Sequence, residues 1–202
     1  MKSINFKKNK AAEVLVVIPA RMGSKRLRYK NILPINGVPM LIHVANEAKK
    51  SKFKPFICIS SESNFVKKLS IAGKFFFIKR PLKLSKDKVE KQEVIKHAVK
   101  YLLIKKKIKP KIVVSLQVNT PQFKSKDLDR AIDFFSKKVF IKSPIREVIS
   151  VGNDNLQNGA FRIMTFKTVF QRTLSTKVGV YFTDYIDIHH KKDYLNLLKK
   201  IN

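Results

Sequence analysis

The chain has 202 residues, 44% of them hydrophobic, with 44 lysines and arginines against 14 aspartates and glutamates and a formal net charge of +30. That length suffices for one domain with a buried core. No stretch approaches the ~20 uncharged apolar residues of a membrane helix, and the lysine-rich first ten residues precede no apolar signal core, so a cytoplasmic location is expected. Cys58 is the sole cysteine, which excludes an intrachain disulfide and a cysteine-based zinc site; its setting, Phe56-Ile-Cys-Ile59, reads as packed core.

Charge of this size alone points to a polyanion such as nucleic acid. Its distribution argues otherwise. Runs such as Lys105–Lys107 and Lys191–Lys192 are scattered along the chain, with no basic helix or aromatic stacking platform to concentrate them. Much of the excess reads as solvated surface, and a nucleic-acid partner is the lesser reading. With few acids present, each clustered carboxylate carries weight.

In chain order, apolar runs at Val14–Ile18, Pro55–Ile59, Phe75–Ile78, Ile112–Leu116 and Val148–Val151 read as buried strands. Helical periodicity lies between them at Met40–Lys50, Asn64–Ala72 (ended by Gly73), Val89–Ile104 and Leu128–Phe135. The polar stretch Asn153–Gly159 is a turn before a strand at Ala160–Met164. A last strand around Val178–Phe182 leads through Asp184–Ile188 to a helix at Lys191–Leu198. The alternation predicts one α/β domain over residues 1–202, built on a doubly wound, mainly parallel sheet with its ligand at the carboxyl ends of the strands.

The loop after the first strand, Pro19-Ala-Arg-Met-Gly-Ser-Lys-Arg-Leu-Arg-Tyr-Lys-Asn31, joins small residues to closely spaced cations. This composition suits a polyphosphate cradle: amides near Gly23 and Ser24 can face phosphate oxygens, Arg21 offers a fork, and Lys25 and Lys30 offer point charges. It is not a Walker loop. A plain basic surface loop is the alternative on physical grounds alone.

Several segments in register resemble one family. Ile18-Pro-Ala-Arg-Met-Gly-Ser-Lys25, Lys30-Asn31 and Asn36-Gly-Val-Pro-Met40 look like the opening signature of acylneuraminate cytidylyltransferases, which make CMP-sialic acids from CTP. The same segments are similar to those of 3-deoxy-octulosonate cytidylyltransferases. Ile59-Ser-Ser-Glu-Ser63, Arg80-Pro-Leu-Lys-Leu-Ser-Lys-Asp87, Ser115-Leu-Gln-Val-Asn-Thr-Pro121, Asn158-Gly-Ala-Phe161 and Ile186-Asp-Ile-His-His-Lys-Lys-Asp193 resemble later motifs in the same order. The resemblance implies the nucleotide-diphospho-sugar transferase fold and transfer of CMP from CTP to a sugar acid with release of pyrophosphate. By position it assigns Arg21, Lys30 and Asp187 to catalysis, and Ser24, Lys25, Asn31, Arg80, Asp87, Gln117 and Asn158 to nucleotide or substrate binding. Asp187, with His189 beside it, would hold magnesium or manganese, and a homodimer is the family habit.

Two departures stand out. His189 replaces an aspartate of the pattern, and an imidazole suits magnesium poorly. Between Val151 and Asn158 the family has a few dozen residues carrying sugar-binding groups and part of the dimer contact; here the link is short, and Leu156 stands where an arginine is usual. These departures leave open a weakly active or non-catalytic nucleotide-binding relative, or a same-fold transferase for another sugar. Glu62 replaces a shorter aspartate, and no role follows for it from the sequence. Gln117 could equally be a buried amide that satisfies loop backbone groups.

Overall fold

A computed structural model describes residues 13–140, 145–171 and 175–201; the lysine-rich first ten residues lie outside these. The elements run β1 (Val14–Pro19), β2 (Pro34–Ile35), β3 (Val38–Pro39), α1 (Met40–Lys49), β4 (Phe56–Ser61), α2 (Asn64–Ala72), β5 (Phe76–Lys79), α3 (Lys91–Lys106), β6 (Ile112–Leu116), α4 (Ser125–Phe140), β7 (Glu147–Val151), β8 (Gln157–Thr165), α5 (Phe166–Val169), β9 (Val178–Phe182) and α6 (Lys191–Ile201). Seven strands form one sheet in the order β5-β4-β1-β6-β8-β7-β9.

The sheet is mainly parallel because its central strands are apolar on both faces and helices cover both. Leu15 and Val17 of β1 point with Cys58, Ile78 and Val113 toward Ile95, Ala98, Val99 and Leu102 of α3. Val14, Val16 and Ile18 point the other way with Ile57, Ile59 and Val114. There they meet Met40, Val44 and Ala48 of α1 and Leu128, Ile132 and Phe135 of α4. Cys58 is fully buried, and that burial pushes its thiol pKa upward, so it is core and not a nucleophile.

One strand breaks the parallel pattern. β8 runs antiparallel to both β6 and β7. The link between β7 and β8 is residues 152–156, far too short for a parallel crossover, so the chain must fold straight back. Gly152 N–H donates to the Leu156 carbonyl at 2.8 Å, and Asn155 takes φ 62° to close the turn.

Helix boundaries differ modestly from the periodic reading. α3 starts at Lys91, and α4 begins at Ser125, where Glu47 accepts from the Ser125 amide and hydroxyl. Sequence periodicity missed the β2–β3 hairpin, although its turn is Asn36-Gly37 with φ 47° and 75°, a strong local hairpin signal. Gly73 does follow α2, but with φ −75°; the left-handed residue is Lys74, φ 60°. Small size is what position 73 requires, since a β-carbon there would stand 2.8 Å from the Phe75 ring.

Candidate functional site

The parallel strands end on one edge of the sheet, where the loops after β1, β5 and β6 meet the segment that follows β9. A cleft of about 540 Å³ opens there, lined by Arg21, Ser24, Lys25, Lys30, Asn31, Arg80, Asp87, Gln117 and His189 among others. These residues are widely separated in sequence. They converge because β4, β1 and β6 are neighbours in register, which sets the carboxyl ends of the strands side by side.

Glu62, at the end of β4, organises the loop after β1. One carboxylate oxygen accepts from the Met22 amide at 2.8 Å; the other accepts from Arg80 Nη2 at 2.8 Å and Ser85 Oγ at 3.0 Å. Burial opposes ionisation of Glu62, but the Met22 amide and Arg80 outweigh it and hold its pKa below the ordinary carboxylate value. Arg80 is itself buried, and its Nε has no protein partner. The added methylene of Glu62, set against the aspartate of the resemblance, spans from the strand end to both partners.

The loop cations are arranged by acids and amides. Arg21 Nη1 and Lys25 Nζ share Asp87, each at 2.6 Å. Asn31 is buried and donates its amide to the Arg21 carbonyl at 2.8 Å, so it braces the loop. The Ser24 amide already donates to the Met22 carbonyl at 2.9 Å, while the space around Gly23 is open enough to accept a β-carbon without contact. Lys30 donates to the Ile188 carbonyl at 2.9 Å. Burial lowers its pKa; Asp187 partly offsets this, and Arg26, Lys91 and Arg21 add to the lowering.

Gln117 sits at the end of β6, its amide N–H bonded to the Ala160 carbonyl and its side-chain oxygen accepting from Lys91 Nζ at 2.6 Å. Lys91, the first residue of α3, has no place in the sequence motifs. Only its position at a helix start facing the strand ends could have singled it out. Asn158 lies outside the cleft: its amide donates to the Thr183 hydroxyl at 2.6 Å and the Thr183 carbonyl at 3.2 Å, tying β8 to the end of β9.

Lys91 and Gln117 also border a second cavity of about 450 Å³ between α3 and the β6-β8-β7 face. There Arg162 pairs with the buried Glu147 and donates from Nη1 to Gln92 Oε1 at 3.0 Å. Neither Arg162 nor Glu147 stood out in the sequence.

The expected divalent ion meets a poor donor set. Asp187 accepts from the Asn119 amide on one oxygen and faces His189 Nε2 at 2.9 Å on the other. Among the described residues no three carboxylate, imidazole or thiol groups come together, and both Lys30 and Lys91 lie in the field of Asp187. One carboxylate beside two ammonium groups does not fit a hard divalent cation held by the protein.

The chain is similar to several known proteins. A 3-deoxy-manno-octulosonate cytidylyltransferase of Bartonella henselae is 41% identical over 63 residues, 31% of this chain and 26% of that protein. A post-translational flagellin modification protein B of Campylobacter coli is 32% identical over 126 residues, 61% of this chain and 53% of that one. The chain thus spans only part of the length of these curated relatives. A solved CMP:2-keto-3-deoxy-manno-octonic acid synthetase complexed with CTP superposes with TM-score 0.75, covering 94% of this chain and 98% of that one; at 13% identity it speaks for the fold. The family model described as cytidylyltransferase matches residues 15–180, which includes the loop after β1, Glu62, Arg80 and Gln117, and on that match the chain belongs to the cytidylyltransferase family.

Proposed function

We propose that this protein transfers CMP from CTP to a sugar acid, with a sialic-acid-like nonulosonic acid as the first acceptor to test and an octulosonic acid as the second. The acceptor hydroxyl oxygen attacks the α-phosphorus, the bond from that phosphorus to the bridging oxygen breaks, and pyrophosphate leaves with the electron pair while the hydroxyl proton passes to solvent. Catalysis of this kind rests on positioning and charge neutralisation. The observation that carries the reading is the cationic cleft at the strand ends, which shares Lys91 and Gln117 with a second cavity lined by an arginine. Arg21, Ser24, Lys25 and Lys30 would take the triphosphate, Gln117 the cytosine or ribose, and the second cavity the acceptor. The activated sugar would serve surface glycan synthesis, with the transfer taking place in the cytoplasm.

Isothermal titration with CTP, UTP, ATP and GTP, comparing the natural chain with Arg21→Ala and Gln117→Ala, tests this. Preference for CTP that both substitutions weaken supports it, whereas binding of no nucleotide defeats it. A second reading, a nucleotide-binding relative that lacks transfer, is favoured by the short β7–β8 turn and by His189 facing Asp187. CTP binding without pyrophosphate release across a panel of sugar acids would select it.

A further inference from the structure

Group transfer between two cavities must occur at the wall they share. Among the described residues, the nucleotide cleft and the second cavity have Lys91 and Gln117 in common. Of these two, only Lys91 carries charge. An ammonium group has three donors, and the bond to Gln117 occupies one.

The surroundings of Lys91 explain why such a charge suits an anion. Burial lowers its pKa, with only Asp187 offsetting the loss, and Lys30 feels Lys91 as a repulsive neighbour. The amino terminus of the 16-residue helix α3 adds the positive end of its dipole at the same point. Repulsion among Lys30, Lys91, Arg21 and Arg26 is relieved when a polyanion enters. Arg21 and Lys25 share the single carboxylate of Asp87, and Lys30 and Lys91 share the field of Asp187, so each pair of cations keeps an excess positive charge toward the cleft. Lys30 and Lys91 are what make the Asp187 region unsuited to a divalent ion.

We propose that Lys91 is the cation that holds the reacting α-phosphate of the nucleotide, and that nucleotide binding through it needs no divalent metal. This rests on the cytidylyltransfer reading and adds to it the residue that meets the reacting phosphorus.

Titration of cytidine, CMP and CTP in EDTA and then in magnesium, with the natural chain, Lys91→Gln and Lys91→Arg, tests the proposal. In EDTA the natural chain is expected to bind CMP and CTP. Lys91→Gln should weaken CMP by about tenfold or more, and Lys91→Arg should stay within about threefold, as for loss or retention of a charge-assisted contact. Cytidine, which has no phosphate, should bind the natural chain and Lys91→Gln alike. Equal loss for cytidine would mean that Lys91 only props Gln117, and this overturns the proposal. So does CMP binding unchanged in Lys91→Gln, or CTP binding that appears only with magnesium. If no cytidine nucleotide binds the natural chain under either condition, the cytidylyltransfer reading itself fails. If CTP binds and only the Lys91 effects are missing, the failure belongs to this inference alone.

Discussion

A β-carbon placed on Gly159 would stand 2.5 Å from the Gln117 side-chain nitrogen, and Gly159 holds φ +69°. The glycine therefore does two things at once: it holds a left-handed backbone near the start of β8 and leaves room for the side-chain amide that accepts from Lys91. Gly159→Ala should cost roughly 1–2 kcal/mol from the left-handed backbone alone and displace Gln117. Thermal unfolding should show the loss of stability, and CTP titration should show weaker binding. Unaltered CTP affinity would remove Gln117 from the nucleotide site.

Glu62 braces the loop after β1 through the Met22 amide. Its replacement by glutamine leaves Arg80 buried and without its counter-charge, and breaking such a pair costs roughly 3 kcal/mol. The folded-state pKa of Glu62 is depressed, so its contribution is fully present above the ordinary carboxylate value and is lost as pH falls through the lower folded value. The difference in unfolding free energy between the natural chain and Glu62→Gln should therefore shrink below about pH 4. A difference independent of pH would contradict the assigned charge.

Asp87 competes with any incoming anion for Arg21 and Lys25. Asp87→Asn should tighten binding of inorganic triphosphate severalfold, measured by titration at fixed ionic strength, and leave the melting temperature unchanged because the pairs are exposed. Weaker triphosphate binding in this variant would show that Asp87 positions the cations for the ligand.

Lys74 occupies a left-handed conformation that glycine adopts without strain. Lys74→Gly should stabilise the protein by about 0.5–1 kcal/mol, read from denaturant unfolding, since relief of the steric cost outweighs the added chain entropy. A destabilised variant would mean that the Lys74 side chain contributes contacts worth more than the backbone strain.

Much of the framework is legible in the sequence. The strands at Val14, Phe56 and Ile112 are mostly apolar because both their faces are buried, and α1 to α3 follow from helical periodicity. The antiparallel course of β8 was also legible in principle, through the length of the link before it. The Asn36-Gly37 hairpin carries its own local signal in the two left-handed residues of its turn.

By itself, the sequence determined the order of the main strands and helices, the cation-rich loop from Arg21 to Asn31 and the strand-end place of Gln117, because periodicity and turn chemistry act over a few residues. Only the tertiary structure decided that Glu62 would join Met22 to Arg80, that Asn158 would bind Thr183 outside the cleft, and that Lys91 would meet Gln117 between two cavities. Those pairings depend on which strands are neighbours and where each helix begins. Local pattern carries no record of either, since a lysine at a helix start reads the same whether it faces water or a cavity.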